Sequence, residues 1–370
     1  MPEPIRVLHV IRLMNHGGVE SMIMNLYRNI DRSKVQFDFV QNSNEPAVYD
    51  EEILSLGGKI YRCPHYNGKN HFAYTGWWNN FFKAHPGEYA IVHGHLGSTA
   101  AIYLSIAKKY GCYAIAHSHS AGAGSLGFRL FSYPTRFVAD HFFACSREAG
   151  IARFGKKVGT DAEMCQVLNN AIDTNRFAFC EEARNEMWRK LKIPPEAIVL
   201  GHLGRFRTEK NHLFLLDIFA EFLRSQPDAM LLLVGDGELR GQIENKIMEK
   251  QLQNKVILAG ARSNTWDYYN VMDVFVMPSL YEGVPVSLVE AQASGLPCVV
   301  SSVVPQEAAI TDSVRFISLD AGAQLWADVV EKEASSPRRN VLTQLKEAGY
   351  DIVKTAKWLE EYYRKVAQHE

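Results

Sequence analysis

The sequence lacks the features that mark several protein classes. No apolar run approaches the roughly 18 residues of a transmembrane helix, and the start, Ile5–Arg12, is too short and interrupted for the apolar part of a signal peptide. The 40 Lys+Arg and 41 Asp+Glu leave a formal charge of −1, without the basic excess usual in a nucleic-acid-binding protein. We therefore expect no membrane-spanning segment and no nucleic-acid partner.

The six cysteines are scattered and have no metal-site spacing. They form no CxxC pair and no zinc-finger pattern with histidine. In a chain of this length they predict reduced, mostly buried thiols, and hence a cytoplasmic protein. Peripheral attachment at the inner face of the cell membrane stays open.

Apolar strand-like runs alternate with segments of helical spacing along the chain. The run Ile5–Ile11 precedes the helix-like Val19–Ile30, and the alternation restarts at Ala197–Leu203. Such alternation predicts parallel sheets covered on both faces, so the fold class is α/β with two doubly wound, Rossmann-like domains. We place them at residues 1–172 and 173–354, with a final helix at 355–370. Binding residues are expected in loops after strands, beside a cleft between the domains.

Basic residues follow the first strand of the second domain. Arg205, Arg207 and Lys210 come directly after Gly204. An arginine fork and a lysine point charge at the carboxyl edge of a sheet suit phosphate oxygens. A solvated basic loop is the alternative interpretation.

A second loop, after the strand that ends at Met277, contains two glutamates. Gly283 and Pro285 predict a tight turn, and a helix opens near Val286 with unpaired amides that suit a phosphate. Glu282 precedes this helix, and Glu290 lies inside it among apolar residues, where an unpartnered carboxylate is costly. The two carboxylates suit sugar and ribose hydroxyls.

The first domain offers glycines and histidines after its strands. Gly17 and Gly18 allow a ligand to approach the backbone, although the G-x-G-x-x-G pattern of dinucleotide sites is missing. The pairs His93/His95 and His117/His119 lie in two strand-end loops. Because neither loop has an acidic or cysteine ligand nearby, we expect no metal, and a histidine that binds a ligand hydroxyl or carbonyl is the alternative.

Two aromatic segments admit core packing or contact with a membrane surface. One is 72–89, with Trp77, Trp78, Phe81 and Phe82. The other is 126–143, which combines Arg129 and Arg136 with Phe128, Phe131, Tyr133 and Phe137. A basic and aromatic surface is typical of peripheral membrane binding.

Taken together, these motifs resemble the retaining GT-B glycosyltransferases of family 4. Glu282 and Glu290, with seven residues between them, are similar to the E-x7-E motif of that family. Gly204-Arg205 with Lys210, Gly235-Asp-Gly237 and Gly295-Leu-Pro297 are similar as well. The amino-acid sequence from Glu282 to Pro297 is especially similar to that of bacterial capsule and exopolysaccharide enzymes.

The resemblance implies a nucleotide-sugar donor, with UDP as the nucleotide, bound mainly by the second domain. Arg205 and Lys210 would bind its diphosphate, Glu282 its sugar and Glu290 its ribose. The base would be read near Arg262. Backbone at the turn and helix start would hold the phosphates, at positions Gly283, Val284, Val286, Ser287 and Leu288.

For the first domain, the resemblance implies the acceptor side. His117 would match a histidine near the donor sugar, and Gly17 and Gly18 would approach the diphosphate or the acceptor. The final helix would cross back onto this domain. The acceptor would be a glycan or a lipid-linked glycan of a cell-surface polysaccharide.

The predicted function is therefore a metal-independent, retaining glycosyl transfer without a cofactor. Cations and a helix dipole would stabilise the leaving diphosphate in place of a divalent ion. Three alternatives remain: a nucleotide-sugar epimerase or phosphorylase on the same fold, a catalytically silent protein that binds sugar nucleotides, and, most weakly, a dinucleotide oxidoreductase.

Overall fold

The computed structural model describes residues 3–15, 17–120 and 131–368. The chain forms two compact units, one of Met1–Ala171 with Asp351–Glu370 and the other of Ile172–Tyr350. The boundaries expected after residues 172 and 354 thus lie one and four residues beyond those observed. We call the two the first and the second unit.

The described part of the first unit contains a parallel sheet with helices on both faces. Its strands are β1 (Ile5–Ile11), β2 (Val35–Gln41), β3 (Ile60–Arg62), β4 (Ile91–Gly94), β5 (Tyr113–Ser118), β6 (His141–Ala144) and β7 (Cys165–Val167). They are ordered β3-β2-β1-β4-β5-β6-β7. The α-helices are Gly18–Asn29, Asp50–Ser55, His71–Ala84, Ala100–Lys109, Arg147–Phe154, Lys156–Gly159 and Ile352–Val366, and Tyr133–Phe137 is a 3₁₀-helix.

Alternate residues of the central strand β1 build the two halves of this core. Leu8 and Val10 pack on one face, whereas Val7 and Ile11 pack on the other, as the two-residue period of a strand requires. The helix Ile352–Val366 covers the second face with four buried apolar side chains, Ile352, Ala356, Leu359 and Tyr363. The final helix therefore belongs to the first unit, as the resemblance implied.

The described part of the second unit repeats this plan. Its strands are β8 (Val199–Leu203), β9 (Met230–Val234), β10 (Val256–Gly260), β11 (Val274–Met277), β12 (Cys298–Ser301) and β13 (Val314–Ile317), in the order β10-β9-β8-β11-β12-β13. The α-helices are Glu181–Lys190, His212–Phe222, Arg240–Glu249, Thr265–Val271, Val286–Ala293, Gly322–Ala334 and Leu342–Glu347, and the 3₁₀-helices are Thr208–Lys210, Gln306–Ala308 and Leu319–Ala321.

Both sheets are parallel at every pairing, which confirms the predicted doubly wound α/β class. The strand order reverses between β1 and β4 in the first unit and between β8 and β11 in the second. Loops at such a switch point diverge to opposite faces and leave a crevice at the carboxyl ends of the strands. Each unit therefore offers a binding position at that point.

Within the described ranges, no helix is both long and apolar enough to cross a membrane.

Candidate active site

The loops after β8 and β11 meet at the switch point of the second unit. These strands are neighbours, with Phe275 opposite Gly201. The amide of Leu280 donates to the carbonyl of Glu209 at 2.8 Å, and Nδ2 of Asn211 donates to the carbonyl of Pro278 at 3.0 Å. Asn211 has left-handed backbone (φ 55°), which asparagine tolerates better than most residues. These bonds hold the basic loop against the loop with the glutamates.

Lys210 and Glu282 form an ion pair across these two loops. Nζ of Lys210 lies 2.6 Å from Oε1 of Glu282, and both side chains are largely shielded from solvent. The hydroxyl of Ser279 donates to the same Oε1 at 2.8 Å. Since both donors share one oxygen, Oε2 of Glu282 keeps its acceptor capacity within the described residues.

The two arginines of the basic loop differ in their surroundings. Arg205 is exposed, and its guanidinium makes no hydrogen bond or ion pair with the described residues. Arg207 lies 3.8 Å from Glu209 and 3.6 Å from Glu238. Arg205 is thus the cation available to an anionic ligand, whereas Arg207 is already balanced by carboxylates.

The loop beside Arg205 is held by the turn Gly235-Asp-Gly237. The amide of Gly204 donates to the carbonyl of Val234, and the amide of Phe206 donates to that of Asp236, both at 3.0 Å. A Cβ at Gly235, where φ is 146°, would lie 2.0 Å from the carbonyl oxygen of Gly204. Glycine at this position permits the close approach of the two loops.

The helix Val286–Ala293 begins next to Glu282. Its first amides, at Val286 and Ser287, have no intrahelical partner, as at every helix start. The amide of Leu288 donates to the carbonyl of Pro285 at 3.0 Å, so a phosphate would have to compete for it. Val284 places its side chain in the core, while Gly283 is half-buried. Of the predicted amides, those of Val286 and Ser287 are the most available.

Glu290 lies one turn inside this helix and is bonded to a tyrosine. The hydroxyl of Tyr269 contacts Oε2 of Glu290 at 2.8 Å and the carbonyl of Ser287 at 3.1 Å. Burial raises the pKa of Glu290 to about 7, against an opposing contribution from the Tyr269 hydrogen bond. Oε1 of Glu290 has no partner among the described residues, so it remains an acceptor for a ligand hydroxyl.

Arg262 follows β10, two strands away from β8 in the sheet. Its side chain is exposed, and Nε donates to the carbonyl of Ala259 at 2.8 Å. The guanidinium is thus folded back on the end of its own strand.

Gly17 and Gly18 lie at the switch point of the first unit. Gly17 caps the helix Gly18–Asn29 with extended backbone, and Gly18 is exposed. A Cβ at Gly17 would lie 2.3 Å from Oε2 of Glu20. The carboxylate of Glu20 thus lies over this helix start, where the dipole favours an anion.

Five histidines of the first unit form one cluster, which neither predicted H-x-H pair indicated by itself. His9 comes from β1, His93 from β4 with His95 directly after it, and His117 from β5 followed by His119. Ring nitrogens of His9 and His95 lie 2.9 Å apart, those of His95 and His119 2.8 Å, and those of His93 and His117 3.2 Å. We call these five residues the histidine cluster.

Burial keeps this cluster neutral. It lowers the pKa of His119 to about 3, and it holds the pKa of His93 and of His117 well below the usual value, with neighbouring histidines adding to the effect. His117 is buried at the end of β5, and its Nε2 has no hydrogen-bond partner among the described residues.

The two aromatic segments differ in burial. Trp78, Phe81 and Phe82 pack in the core of the first unit, so this part of 72–89 is not a surface. In the second segment Phe131, Tyr133 and Phe137 are exposed, and Arg136 lies over the ring of Tyr133. Phe128 and Arg129 lie outside the described residues.

Sequence reasoning missed Ser279, Asn211 and Tyr269, which orient Lys210, Glu282 and Glu290. Ser279 and Asn211 adjoin predicted motifs, so their positions were a usable signal. Tyr269 lies in the helix Thr265–Val271, 21 residues before Glu290, and no local pattern connects the two.

Comparison with known proteins identifies the relatives of each part of the chain. Residues 183–351 match the family model for glycosyl transferases group 1, and residues 16–176 match that for Glycosyltransferase Family 4. EpsF of Bacillus subtilis (strain 168), provisionally named a glycosyltransferase, is 36% identical over 94% of this chain and 93% of its own length. The capsular polysaccharide biosynthesis glycosyltransferase CapH of Staphylococcus aureus is 23% identical over 97% of this chain and 98% of its own.

A solved structure has the same fold over the whole length. The crystal structure of Anabaena HepE in complex with UDP-glucose aligns with a TM-score of 0.79, at 15% sequence identity, and covers 98% of this chain and 100% of HepE.

Proposed function

The chain belongs to the GT-B glycosyltransferases of family 4, and from this premise we propose that it acts in polysaccharide biosynthesis and transfers the sugar of a UDP-sugar to a glycan or lipid-linked acceptor. The transfer retains the anomeric configuration and uses no metal ion at the diphosphate. The observation that carries this proposal is the Lys210–Glu282 ion pair at the switch point of the second unit, beside the start of the helix Val286–Ala293.

The diphosphate is the group that this site suits best. The exposed Arg205 supplies an unpaired positive charge, and Lys210, which uses one of its three N–H donors on Glu282, supplies two further donors. The amides of Val286 and Ser287 supply donors at the positive end of a helix dipole. In the transition state negative charge grows on the leaving diphosphate. Groups that are already oriented toward that charge lower the barrier without a divalent ion.

The two glutamates suit the hydroxyl groups of the donor. Lys210 and Ser279 hold one oxygen of Glu282, which leaves the other to accept from a hydroxyl of the transferred sugar. Tyr269 holds one oxygen of Glu290 in the same way, which leaves the other for the ribose. His117 of the first unit is assigned to the donor sugar by the resemblance.

Retention follows if the acceptor attacks on the face from which the diphosphate leaves. The bond from the anomeric carbon to the phosphate oxygen breaks, and a bond from that carbon to the acceptor oxygen forms. The departing phosphate oxygen takes the acceptor proton. This route needs no protein nucleophile, and the described site presents no obvious candidate for one. The choice of UDP is supported by HepE, whose structure contains UDP-glucose.

The test is a calorimetric screen of UDP-, GDP- and ADP-sugars, followed by turnover assays of Lys210→Ala and Glu290→Ala. Lys246→Ala is a matched control, because Lys246 also pairs with a carboxylate at 2.6 Å in the second unit, but with Asp217. We expect both site variants to lose donor turnover by a factor of about 100 or more, the range for a preorganised charge at a transition state. Near-normal kinetics in both would refute the assignment.

Metal independence and retention need separate measurements. Turnover should persist in EDTA, whereas a strict Mg²⁺ requirement would overturn the proposed role of Arg205 and Lys210. The anomeric configuration of the first product, read by NMR before it mutarotates, should equal that of the donor, and inversion would refute the proposed mechanism.

Peripheral membrane contact is a further part of this proposal. The exposed rings of Phe131, Tyr133 and Phe137, with Arg136 beside them, suit an anionic lipid surface. The double variant Phe131→Ala/Phe137→Ala should lose flotation with anionic liposomes at low salt. Phe72→Ala, which removes an exposed ring elsewhere in the first unit, is the control. Wild-type protein that stays at the bottom of the gradient would refute the contact.

A further inference from the structure

The histidine cluster has the donor set of a metal site. It contains two groups of three histidines, His9/His93/His95 and His95/His117/His119, and in each group one ring nitrogen per residue lies within 4.8 Å of the others. Neighbouring parallel strands produce this arrangement, because His9 pairs in register with His93, and β4 pairs with β5. No third ligand was evident from either H-x-H loop alone, since it comes from the adjacent strand.

Hydrogen bonds within the cluster leave ring nitrogens without partners. A neutral imidazole has one N–H donor and one nitrogen lone pair. A hydrogen-bonded chain of neutral imidazoles therefore has an unused N–H at one end and an unused lone pair at the other. The chain His9–His95–His119 ends at Nε2 of His9 and Nδ1 of His119, and both atoms are buried without a partner among the described residues. An unpartnered buried polar atom costs free energy that a ligand would recover. Of these two atoms, only Nδ1 of His119 belongs to the group His95/His117/His119.

A second chain of hydrogen bonds, through Tyr363 and His93, orients His117. The hydroxyl of Tyr363 lies 2.6 Å from Nδ1 of His93, and Nε2 of His93 lies 3.2 Å from Nδ1 of His117. If each histidine donates toward Tyr363, Nε2 of His117 presents a buried lone pair with no partner among the described residues. This is the tautomer that a metal ligand requires, fixed by a hydrogen bond from its other nitrogen.

Access distinguishes the two groups of three. His9 and His93 are buried inside the sheet, whereas His95 and His119 are partly exposed at its carboxyl edge. A metal site needs an entry path, which favours the group His95/His117/His119. His9 then bonds Nε2 of His95, and His93 bonds Nδ1 of His117. The ion would bind Nδ1 of His95 and Nε2 of His117, and its bond to Nδ1 of His95 would replace the hydrogen bond from that atom to His119.

We propose that His95, His117 and His119 bind one divalent transition-metal ion of the zinc type, with His9 and His93 as the residues that orient them. Three neutral imidazoles suit Zn²⁺, Cu²⁺ or Ni²⁺, while the oxygen ligands that Mg²⁺ and Ca²⁺ prefer are not part of the group. The remaining coordination position is open to water or a ligand, as in zinc sites with three protein ligands.

The ion is bound by residues of the first unit, whereas the proposed diphosphate ligands Arg205 and Lys210 belong to the second unit. It engages His117, the residue assigned to the donor sugar, so a bound ion competes with the sugar. Zn²⁺ should therefore inhibit transfer, and EDTA should relieve that inhibition. The competition rests on the proposed function, whereas metal binding itself does not.

The experiment uses the full chain without a polyhistidine tag and without any nucleotide sugar. Equilibrium dialysis against ZnCl₂ with elemental analysis gives the stoichiometry, and the visible absorption of added Co²⁺ reports the coordination. We expect one ion per chain. His119→Gln, at a partly exposed position, should weaken binding by about 100-fold or more, beyond the roughly 10–100-fold typical for loss of a residue that orients a ligand.

Two further variants complete the design. His95→Gln should abolish binding, because His95 belongs to both groups of three. His141→Gln is the matched control, since His141 is also buried in this sheet but belongs to neither group, and its affinity should equal that of the wild type. Absence of binding to wild-type protein, or equal affinity in His119→Gln and the control, would overturn the proposal. Circular dichroism establishes that each variant is folded.

Discussion

Replacing Glu290 by glutamine should stabilise the donor-free protein at alkaline pH while it removes donor turnover. Burial raises the pKa of Glu290 from 4.5 to about 7. Between these values the native state keeps a proton that the unfolded chain releases, so the free energy of unfolding falls as pH rises through the window. Glutamine has no proton to lose, and its oxygen can still accept from Tyr269.

The size of the effect follows from the pKa shift. At about 1.4 kcal/mol per pKa unit, the raised pKa of Glu290 lowers the free energy of unfolding by roughly 3 kcal/mol at pH 8 and by about 1 kcal/mol at pH 5. Part of the side chain is accessible to solvent, which screens the charge, so these are upper values. Other groups titrate in the same range, but they are common to both proteins and cancel in the difference.

The assay is urea denaturation of the wild type and of Glu290→Gln from pH 5 to pH 8, followed by tryptophan fluorescence without nucleotide. The stabilisation by glutamine should grow with pH, and any constant offset between the two side chains does not matter. Glu249→Gln, at an exposed glutamate of the same unit, is the isosteric control and should show no such trend. A difference that is flat with pH would refute the reasoning that burial destabilises the charged form.

Three further predictions follow from the same site. Tyr269→Phe removes a hydrogen bond that opposes the shift, so the pKa of Glu290 should rise further, and the pH at which donor binding is half-maximal should rise with it. Gly235→Ala should lower stability by more than about 1 kcal/mol, because its Cβ would meet the carbonyl of Gly204 and φ there is positive; an unchanged thermal midpoint would contradict this. Ser279→Ala should raise the KM for the donor severalfold with an unchanged fold, as Glu282 loses one of its two holding bonds; an unchanged KM would contradict it.

Local pattern was sufficient to predict much of the fold. β1 has the predicted bounds and β11 ends at the predicted residue, Met277, because short apolar runs between turn residues leave little freedom at their ends. The strand Val314–Ile317 was missed, since its four residues include Arg315 and have no apolar continuity. The same limit applies to short helices such as Asp50–Ser55, where a few polar residues carry no clear period.

Some features of the candidate site were likewise predictable from the sequence, and others depend on tertiary structure. The sequence predicted the functional residue types at strand ends and at a helix start, namely Lys210, Glu282 and Glu290. Ligand-binding residues of parallel sheets lie at the carboxyl ends of the strands. That Lys210 pairs with Glu282, 72 residues away, depends on the adjacency of β8 and β11. The role of Tyr269 depends on how the helix Thr265–Val271 packs, for which no periodic signal exists.

The sequence by itself determined that this chain forms two doubly wound α/β units and that its glycosyltransferase motifs lie in loops after strands. Tertiary structure alone decided which of these loops meet. His95 joins His117 and His119 because β4 lies beside β5, and neither H-x-H pair contains that information. The physical reason is that hydrophobic periodicity encodes local elements and their buried faces, whereas the neighbours of a strand are set by the packing of the whole sheet.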